Sequence, residues 1–262
     1  MNEKQTMAEE HTILRALVGS TAHGINVDDG QDDRDEMGIC IEELRYAIGF
    51  EQFEQWIYRS AAEREGRQDA KSKAGDLDLV VYSLRKYLRL ALKGNPTILI
   101  LLFSPGEQCV TTTLLGQELQ GLAPLIVSRK CAGPFLGYLT AQKQRLLGER
   151  GQKRIHRPEL VEKYGFDTKY AMHMLRLGIQ GVELLETGRM SLPMLEEHRT
   201  FLKAVRLGEI RLNECLTYAG DLEKRLEDLK TTSPLRERPA TEYVEGWMTR
   251  TYFDQWAADR RG

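Results

Sequence analysis

Two carboxylates two residues apart follow a Gly-Ser pair early in the chain. Gly19 and Ser20 end an apolar run, and after a loop rich in Asp and Gly, Asp33 and Asp35 lead into a second apolar run. Side chains at i and i+2 of an extended chain point to the same side, so these carboxylates share one face. Like charges on one face are costly unless a cation lies between them. Mg²⁺ held by one or two carboxylates and by substrate phosphates fits this pattern best.

The Gly19-Ser20 pair predicts the other half of such a site. Glycine lets the backbone approach a ligand closely, and a turn that opens into a helix offers free N–H groups to a phosphate. The alternative interpretation is a solvated acidic loop, because acids are dense between residues 28 and 36. A calcium loop of the EF-hand kind fits poorly, since Met37 stands where an oxygen ligand is needed.

A third carboxylate is offered by a later apolar run. Asp76 and Asp78 open the segment 76–83, which is predicted to be a strand, and by the period of two they share a face. Either acid could lie beside Asp33 and Asp35 on a neighbouring strand and complete a metal cluster. Asp78 is favoured, because it lies nearer the apolar body of the strand, where a fixed position is expected.

A helix in the second half of the chain carries a line of groups that bind anions. Asp167 is a credible N-cap, and Lys169, His173, Arg176 and Gln180 follow on one face at i, i+4, i+7 and i+11. Arg and Lys bind phosphate oxygens, and His adds a hydrogen bond. The alternative is an exposed polar face, but these four positions include no acid that could pair with the cations. We therefore favour an anion-binding face.

Composition bounds the class of protein. The chain has 262 residues and a net charge of −2, so no global basic field indicates a nucleic-acid partner, and a polyanion must be held by a local patch or through metal. The four scattered cysteines lack zinc-site spacing and indicate buried thiols in a reducing, cytoplasmic setting. We expect no membrane partner, because no apolar run is long enough to span a bilayer and the N-terminus has no apolar signal core.

Hydrophobic patterning predicts a small mixed sheet followed by helices, the α/β (α+β) class. The composition becomes mainly helical near residue 107, so we place a domain boundary there, with an α/β domain over 1–107 and an all-helical domain over 108–262. Ser83 and Asn95 are predicted N-caps. The expected early elements are strands at 11–18, 33–42 and 76–83, a helix at 43–60 and a loop at 61–75.

The frame of strand, Gly-Ser, spacer and Asp-x-Asp resembles the signature of the DNA polymerase beta-like nucleotidyltransferase superfamily. The string from Asp78 through Ser-Leu-Arg-Lys to the Gly-Asn-Pro-Thr turn ending at Thr97 is more specific. It resembles predicted nucleotidyltransferases related to the RNA repair pathway nucleotidyltransferase of bacteria and their phages. The string from Tyr164 to Arg176 also resembles the matching helix of that family.

This resemblance implies a role for each candidate residue. Asp33, Asp35 and Asp78 would be the catalytic acids and the ligands of two divalent ions, Mg²⁺ or alternatively Mn²⁺. Asp33 and Asp35 would bridge both ions, and Asp78 would hold the ion that lowers the pKa of the acceptor hydroxyl.

The resemblance also implies an NTP site in a cleft between the two domains. The nucleotide-binding residues would be Gly19, Ser20, Lys169, His173 and Arg176. The favoured reaction is transfer of an NMP from NTP to RNA, such as a tRNA-like end. A protein or small-molecule acceptor, or a non-catalytic NTP-sensing protein, are the alternatives.

Overall fold

The computed structural model describes residues 3–27, 34–67, 69–70, 73, 75–149 and 157–259. A sheet lies in the first half of the chain, and helices dominate the second half. The strands are β1 (Thr12–Leu17), β2 (Arg34–Cys40), β3 (Gln55–Arg59), β4 (Leu77–Ser83) and β5 (Cys109–Thr112). The helices are α1 (Glu3–Glu10), α2 (Gly19–His23), α3 (Leu44–Ile48), α4 (Ser60–Glu65), α5 (Leu84–Ala91), α6 (Pro96–Phe103), α7 (Leu114–Gly121), α8 (Ala123–Ile126), α9 (Ala132–Leu146), α10 (Pro158–Tyr164), α11 (Thr168–Thr187), α12 (Glu196–Arg206), α13 (Leu212–Thr232) and α14 (Thr241–Asp259).

The sheet is mixed, with strand order β3-β4-β2-β1-β5. The central strands β2 and β4 run parallel, whereas the other neighbouring strands are antiparallel. The predicted architecture of a small mixed sheet followed by a helical region is therefore confirmed. The parallel pair matters most for function, because its register aligns residues 34–40 with residues 77–83 one to one.

One predicted element is wrong. Residues 43–60, expected to be a single helix, form α3 and then β3, and the expected loop after them begins with α4. Gly49 is the C-cap of α3. The aromatic residues that follow suit a strand, and Trp56 pairs with Val81 of β4. This pairing joins segments distant in the chain, so local periodicity cannot reveal it.

The strand β5 pairs with β1, so the sheet takes in residues beyond the boundary expected near residue 107. One buried apolar cluster also continues from Leu14 of β1 and Ile39 of β2 through Leu101 of α6 to Leu175 of α11. The division of the chain at residue 107 stays a prediction.

The predicted helix N-caps are confirmed by hydrogen bonds. Ser83 Oγ accepts from the backbone N–H of Lys86 at 3.1 Å, and Asn95 Oδ1 accepts from that of Thr97 at 3.0 Å. Asp167 caps α11 in the same way. These caps fix where α5, α6 and α11 begin, because each satisfies a backbone donor that the helix leaves open.

The strand β2 carries a buried carboxylate next to Asp35 in sequence. Glu36 is 2% exposed, accepts a hydrogen bond from Arg15 Nε, and accepts another from Arg34 Nε at 2.5 Å. Since successive strand side chains alternate, Glu36 lies on the face of the sheet opposite Asp35. The two arginines supply the pairing that a buried carboxylate requires.

The cysteines and the lengths of the helices bear on two of the expectations from sequence. Cys40, Cys131 and Cys215 are buried and Cys109 is partly buried, and all four are free thiols. Within the described ranges, every helix is too short or too polar to cross a bilayer.

Candidate active site

Asp35 and Asp78 are brought together by the parallel strands. They are Cα partners in the register of β2 and β4, near the start of each strand, and both are partly exposed. Neighbouring strands lie about 4.8 Å apart, and paired residues point to the same face. Asp33, the remaining predicted acid, lies outside the described residues. The described part of the site therefore holds two adjacent carboxylates at one edge of the sheet.

A cation on β3 extends this row. Arg59 is the register partner of Asp78 across the antiparallel β3–β4 pair, and its Nε donates to Asp78 Oδ1 at 3.3 Å. Its Nη2 donates to the carbonyl of Ala70 at 3.1 Å. Sequence reasoning missed Arg59 because it assigned this segment to a helix. The guanidinium orients Asp78 and ties the segment after α4 to the edge of the site.

Asp76 is engaged in a different set of contacts. Both terminal nitrogens of Arg64 bind its carboxylate, and it also accepts from Ser60 Oγ at 3.1 Å and from the Lys73 backbone N–H at 2.7 Å. The hydrogen bonds from Arg64 hold the pKa of Asp76 below its usual range. Asp76 thus organises the loop before β4, while Asp78 is the acid aligned with Asp35.

The glycine of the Gly-Ser pair lies directly against Asp35. Gly19 begins α2 with a φ of +68°, and a Cβ built on it would lie 2.2 Å from Asp35 Oδ2. The preceding Val18 N–H donates to the Asp35 carbonyl at 2.9 Å. A larger residue at position 19 is excluded by both conformation and space. The structure therefore places the turn carrying Gly19 and Ser20 beside the carboxylate pair.

The predicted cationic face of α11 adjoins the same turn. Arg176 Nη1 donates to His23 Nε2 at 2.9 Å and to Gln180 Oε1 at 2.8 Å. His23 is the last residue of α2, the helix that starts at Gly19. Sequence reasoning treated His23 as a packing or hydrogen-bonding residue, and its partner 153 positions away carries no local signal. His23 links the two halves of the candidate site.

The cationic face of α11 lies in electropositive surroundings. Burial, together with the charges of Arg176 and Lys169, lowers the pKa of His173 to about 3. Burial alone lowers the pKa of Arg176 to about 10. Within the described residues, no carboxylate lies within ion-pair distance of Lys169 or Arg176, whereas Arg157 pairs with the cap of α11 at 2.9 Å. A partly buried positive excess of this kind favours an anion.

The donor set suits a hard cation. Mg²⁺ is commonly held by one or two carboxylates together with substrate phosphates, and Asp35 and Asp78 supply that minimum. Across the described ranges, no group of three His, Cys, Asp or Glu side chains is placed to bind a metal. The Asp35 carboxylate occupies the space that a side chain at position 19 would take, so glycine at this position leaves that carboxylate in place beside Asp78.

This combination of mixed sheet, paired acids and glycine turn is that of a polymerase beta-like nucleotidyltransferase. More particularly, the chain belongs to the RNA repair pathway DNA polymerase beta family, whose sequence model matches residues 1–250. The resemblance drawn from the motifs is thereby confirmed.

Other comparisons add little. No curated protein matches the chain. Among solved structures it is similar to a nucleotidyltransferase-like protein from Exiguobacterium sibiricum, with 11% identity and a TM-score of 0.31 over 87% of this chain and 71% of that one. This likeness is too distant to carry an argument about function.

Proposed function

We propose that the protein is a metal-dependent nucleotidyltransferase that moves an NMP from an NTP to a hydroxyl group, with RNA, such as a tRNA-like end, as the acceptor. The observation that carries this proposal is the in-register pairing of Asp35 with Asp78, with the backbone of Gly19 packed against Asp35. Membership of a polymerase beta family supports an NTP as the substrate.

The acids hold the metal in this proposal. Asp33, Asp35 and Asp78 would bind two divalent ions, Mg²⁺ or alternatively Mn²⁺. When bound, such ions lower the pKa of an acceptor hydroxyl and offset charge on phosphate oxygens. Arg59 keeps the Asp78 carboxylate oriented toward the shared face by donating to its Oδ1. The rigid sheet register keeps the two described carboxylates adjacent without any ordering step on ligand binding.

The phosphates of the NTP lie between α2 and α11 in this proposal. Gly19 lets the backbone approach them, and the Ser20 hydroxyl donates one hydrogen bond. Lys169 and Arg176 offset the charge that develops on the leaving pyrophosphate. His173 stays neutral near pH 7, because its pKa is lowered to about 3, and so it donates a hydrogen bond without adding charge.

A labelled-nucleotide assay tests the proposal. The protein is incubated with Mg²⁺ and each labelled NTP, with and without total RNA, alongside Asp35→Asn and Asp78→Asn. The control is Asp221→Asn, which changes an exposed carboxylate on α13. Label on RNA that is lost in the two site variants and kept in the control is the expected result.

Other outcomes redirect or overturn the proposal. Label on the protein itself, or on an added small molecule, would replace RNA as the acceptor. NTP binding without pyrophosphate release under all conditions would indicate a sensor and overturn catalysis. An absence of metal-dependent NTP binding would overturn the proposal as a whole.

A further inference from the structure

Arg176, His23 and Gln180 form a closed ring of three hydrogen-bonded side chains. Arg176 Nη1 contacts His23 Nε2 at 2.9 Å and Gln180 Oε1 at 2.8 Å, and Gln180 Nε2 contacts His23 Nδ1 at 3.1 Å. His23 and Gln180 are 2% and 1% exposed. Two of the three members of the ring, His23 and Gln180, are therefore shielded from solvent.

The ring has one donor too many. A guanidinium only donates, so His23 Nε2 must accept and the proton of the neutral imidazole lies on Nδ1. That N–H then faces the amide N–H of Gln180. Rotating the Gln180 amide by half a turn places its oxygen against the Nδ1–H of His23, which is a favourable contact. The same rotation places the amide N–H against the N–H of Arg176 Nη1, so that two donors again face each other. Every assignment with a neutral imidazole leaves one donor without an acceptor inside the ring.

Arg176 itself also carries a donor without an acceptor. Its Nε is buried and has no hydrogen-bond partner, and no carboxylate in the described ranges is paired with this guanidinium. A buried donor without an acceptor is destabilising. An anionic acceptor brought to Arg176 would give Nε the partner that it lacks.

We propose that His23 and Gln180 are positioning residues that hold Arg176 with surplus donors directed to the polyphosphate of the NTP. This inference rests on the nucleotidyltransferase function proposed above. The ring also joins α11 to α2, so the guanidinium and the turn at Gly19 are set relative to each other by one buried contact. Neither His23 nor Gln180 touches the reacting atoms in this proposal.

The His23 position is tested with two variants and a direct binding measurement. His23→Leu removes the acceptor for Arg176, whereas His23→Gln keeps an amide oxygen near the place of Nε2. We expect the Kd for a non-hydrolysable ATP analogue with Mg²⁺ to rise about tenfold or more in His23→Leu and to stay within about threefold of the original protein in His23→Gln. In turnover, KM should rise more than kcat falls. An unchanged Kd in His23→Leu would overturn the inference.

The Gln180→Glu variant gives an independent test that does not depend on loss of a side chain. Its two carboxylate oxygens accept from both Arg176 and the Nδ1–H of His23, so every donor conflict in the ring is removed. We expect a higher melting temperature together with nucleotide binding weakened about tenfold. A ring that serves stability alone would give the higher melting temperature with unchanged binding, which contradicts the proposal.

These measurements separate the two proposals. If the original protein binds no nucleotide with Mg²⁺, the nucleotidyltransferase function fails and the role of the ring falls with it. If the original protein binds nucleotide and both His23→Leu and Gln180→Glu bind it equally well, only the role of the ring is overturned.

Discussion

Asp35 and Asp78 lie side by side as register partners on the parallel strands β2 and β4. The Arg59 guanidinium offsets part of the repulsion between these two carboxylates, and a bound divalent ion would offset more of it. We therefore predict that Asp78→Asn lowers nucleotidyl transfer by at least about 100-fold while leaving the melting temperature equal or higher. Transfer assays and thermal melts of the same preparations check both parts. A lower melting temperature would show that the acid has a structural role.

Asp76→Asn is the matched comparison, two residues earlier on the same segment. The carboxylate of Asp76 holds Arg64, Ser60 and the Lys73 backbone. We predict that this variant melts at a lower temperature than Asp78→Asn but retains transfer when assayed well below its melting point. Loss of transfer in a fully folded Asp76→Asn protein would instead place Asp76 among the catalytic acids.

Gly19 allows a second matched pair of variants. Gly19 and Gly66 share a φ of +68°, but only Gly19 has a neighbour, since a Cβ there would lie 2.2 Å from Asp35 Oδ2 whereas nothing lies within 4 Å of Gly66. Gly66→Ala should lose roughly 1–2 kcal/mol of stability from the left-handed backbone alone. Gly19→Ala should lose the same amount of stability and, in addition, nearly all transfer activity. Urea denaturation and transfer assays compare the two, and equal activity in both variants would contradict the site.

The buried His23 and the partly buried His173 predict a folded-state stability that falls in mild acid. Burial lowers the pKa of His23 well below its ordinary value of 6.5 and that of His173 to about 3. Below about pH 6.5 the unfolded chain binds protons that the folded chain excludes, so this stability is complete above that pH and is lost as the pH falls.

This effect can be measured by urea denaturation. The free energy of unfolding should decrease between about pH 7.5 and pH 5.5, by roughly 1 kcal/mol through His173 and by a further amount through His23. His173→Gln should remove its share of the decrease. An identical pH dependence in His173→Gln and the original protein would contradict the predicted neutral state of His173.

The cationic face of α11 predicts a charge-specific loss of nucleotide binding. Lys169→Gln should weaken binding of an ATP analogue severalfold and reduce its sensitivity to salt, because one fewer cation meets the phosphates. Arg225→Gln is the control, since Arg225 is half-exposed and bound to Glu186 at 2.8 Å. Titrations at two salt concentrations provide the comparison. Equal effects of the two substitutions would indicate a nonspecific response to charge.

Several features of the fold and site were accessible from sequence because they depend on short-range chemistry. The caps at Ser83, Asn95 and Asp167 follow from the preference of these residue types for helix starts. The expectation that Asp78 lies near Asp35 follows from apolar runs that each begin with an acid, whereas the register that aligns the two acids comes from the pairing of β2 with β4. The caps needed only neighbouring residues.

The parts that were missed depend on distant partners. The strand β3 became a strand by pairing with β4, although its apolar spacing also fits a helix. Arg59 reaches Asp78 only because of that pairing, and His23 reaches Arg176 across 153 positions. Asp33 belongs to the predicted set but lies outside the described residues, so its place in the site stays a prediction.

The buried Glu36 helps to fix which side chains of β2 lie on the opposite face of the sheet. Its contact with Arg15 on β1 exists in only one alignment of β1 with β2, whereas Arg34 is on β2 itself and moves with Glu36. If β2 slipped by one position, every side chain would change face, Glu36 would lose Arg15, and Asp35 would turn away from Asp78. The buried ion pair between Arg15 and Glu36 thus helps to hold the register that keeps Asp35 and Asp78 on the same face.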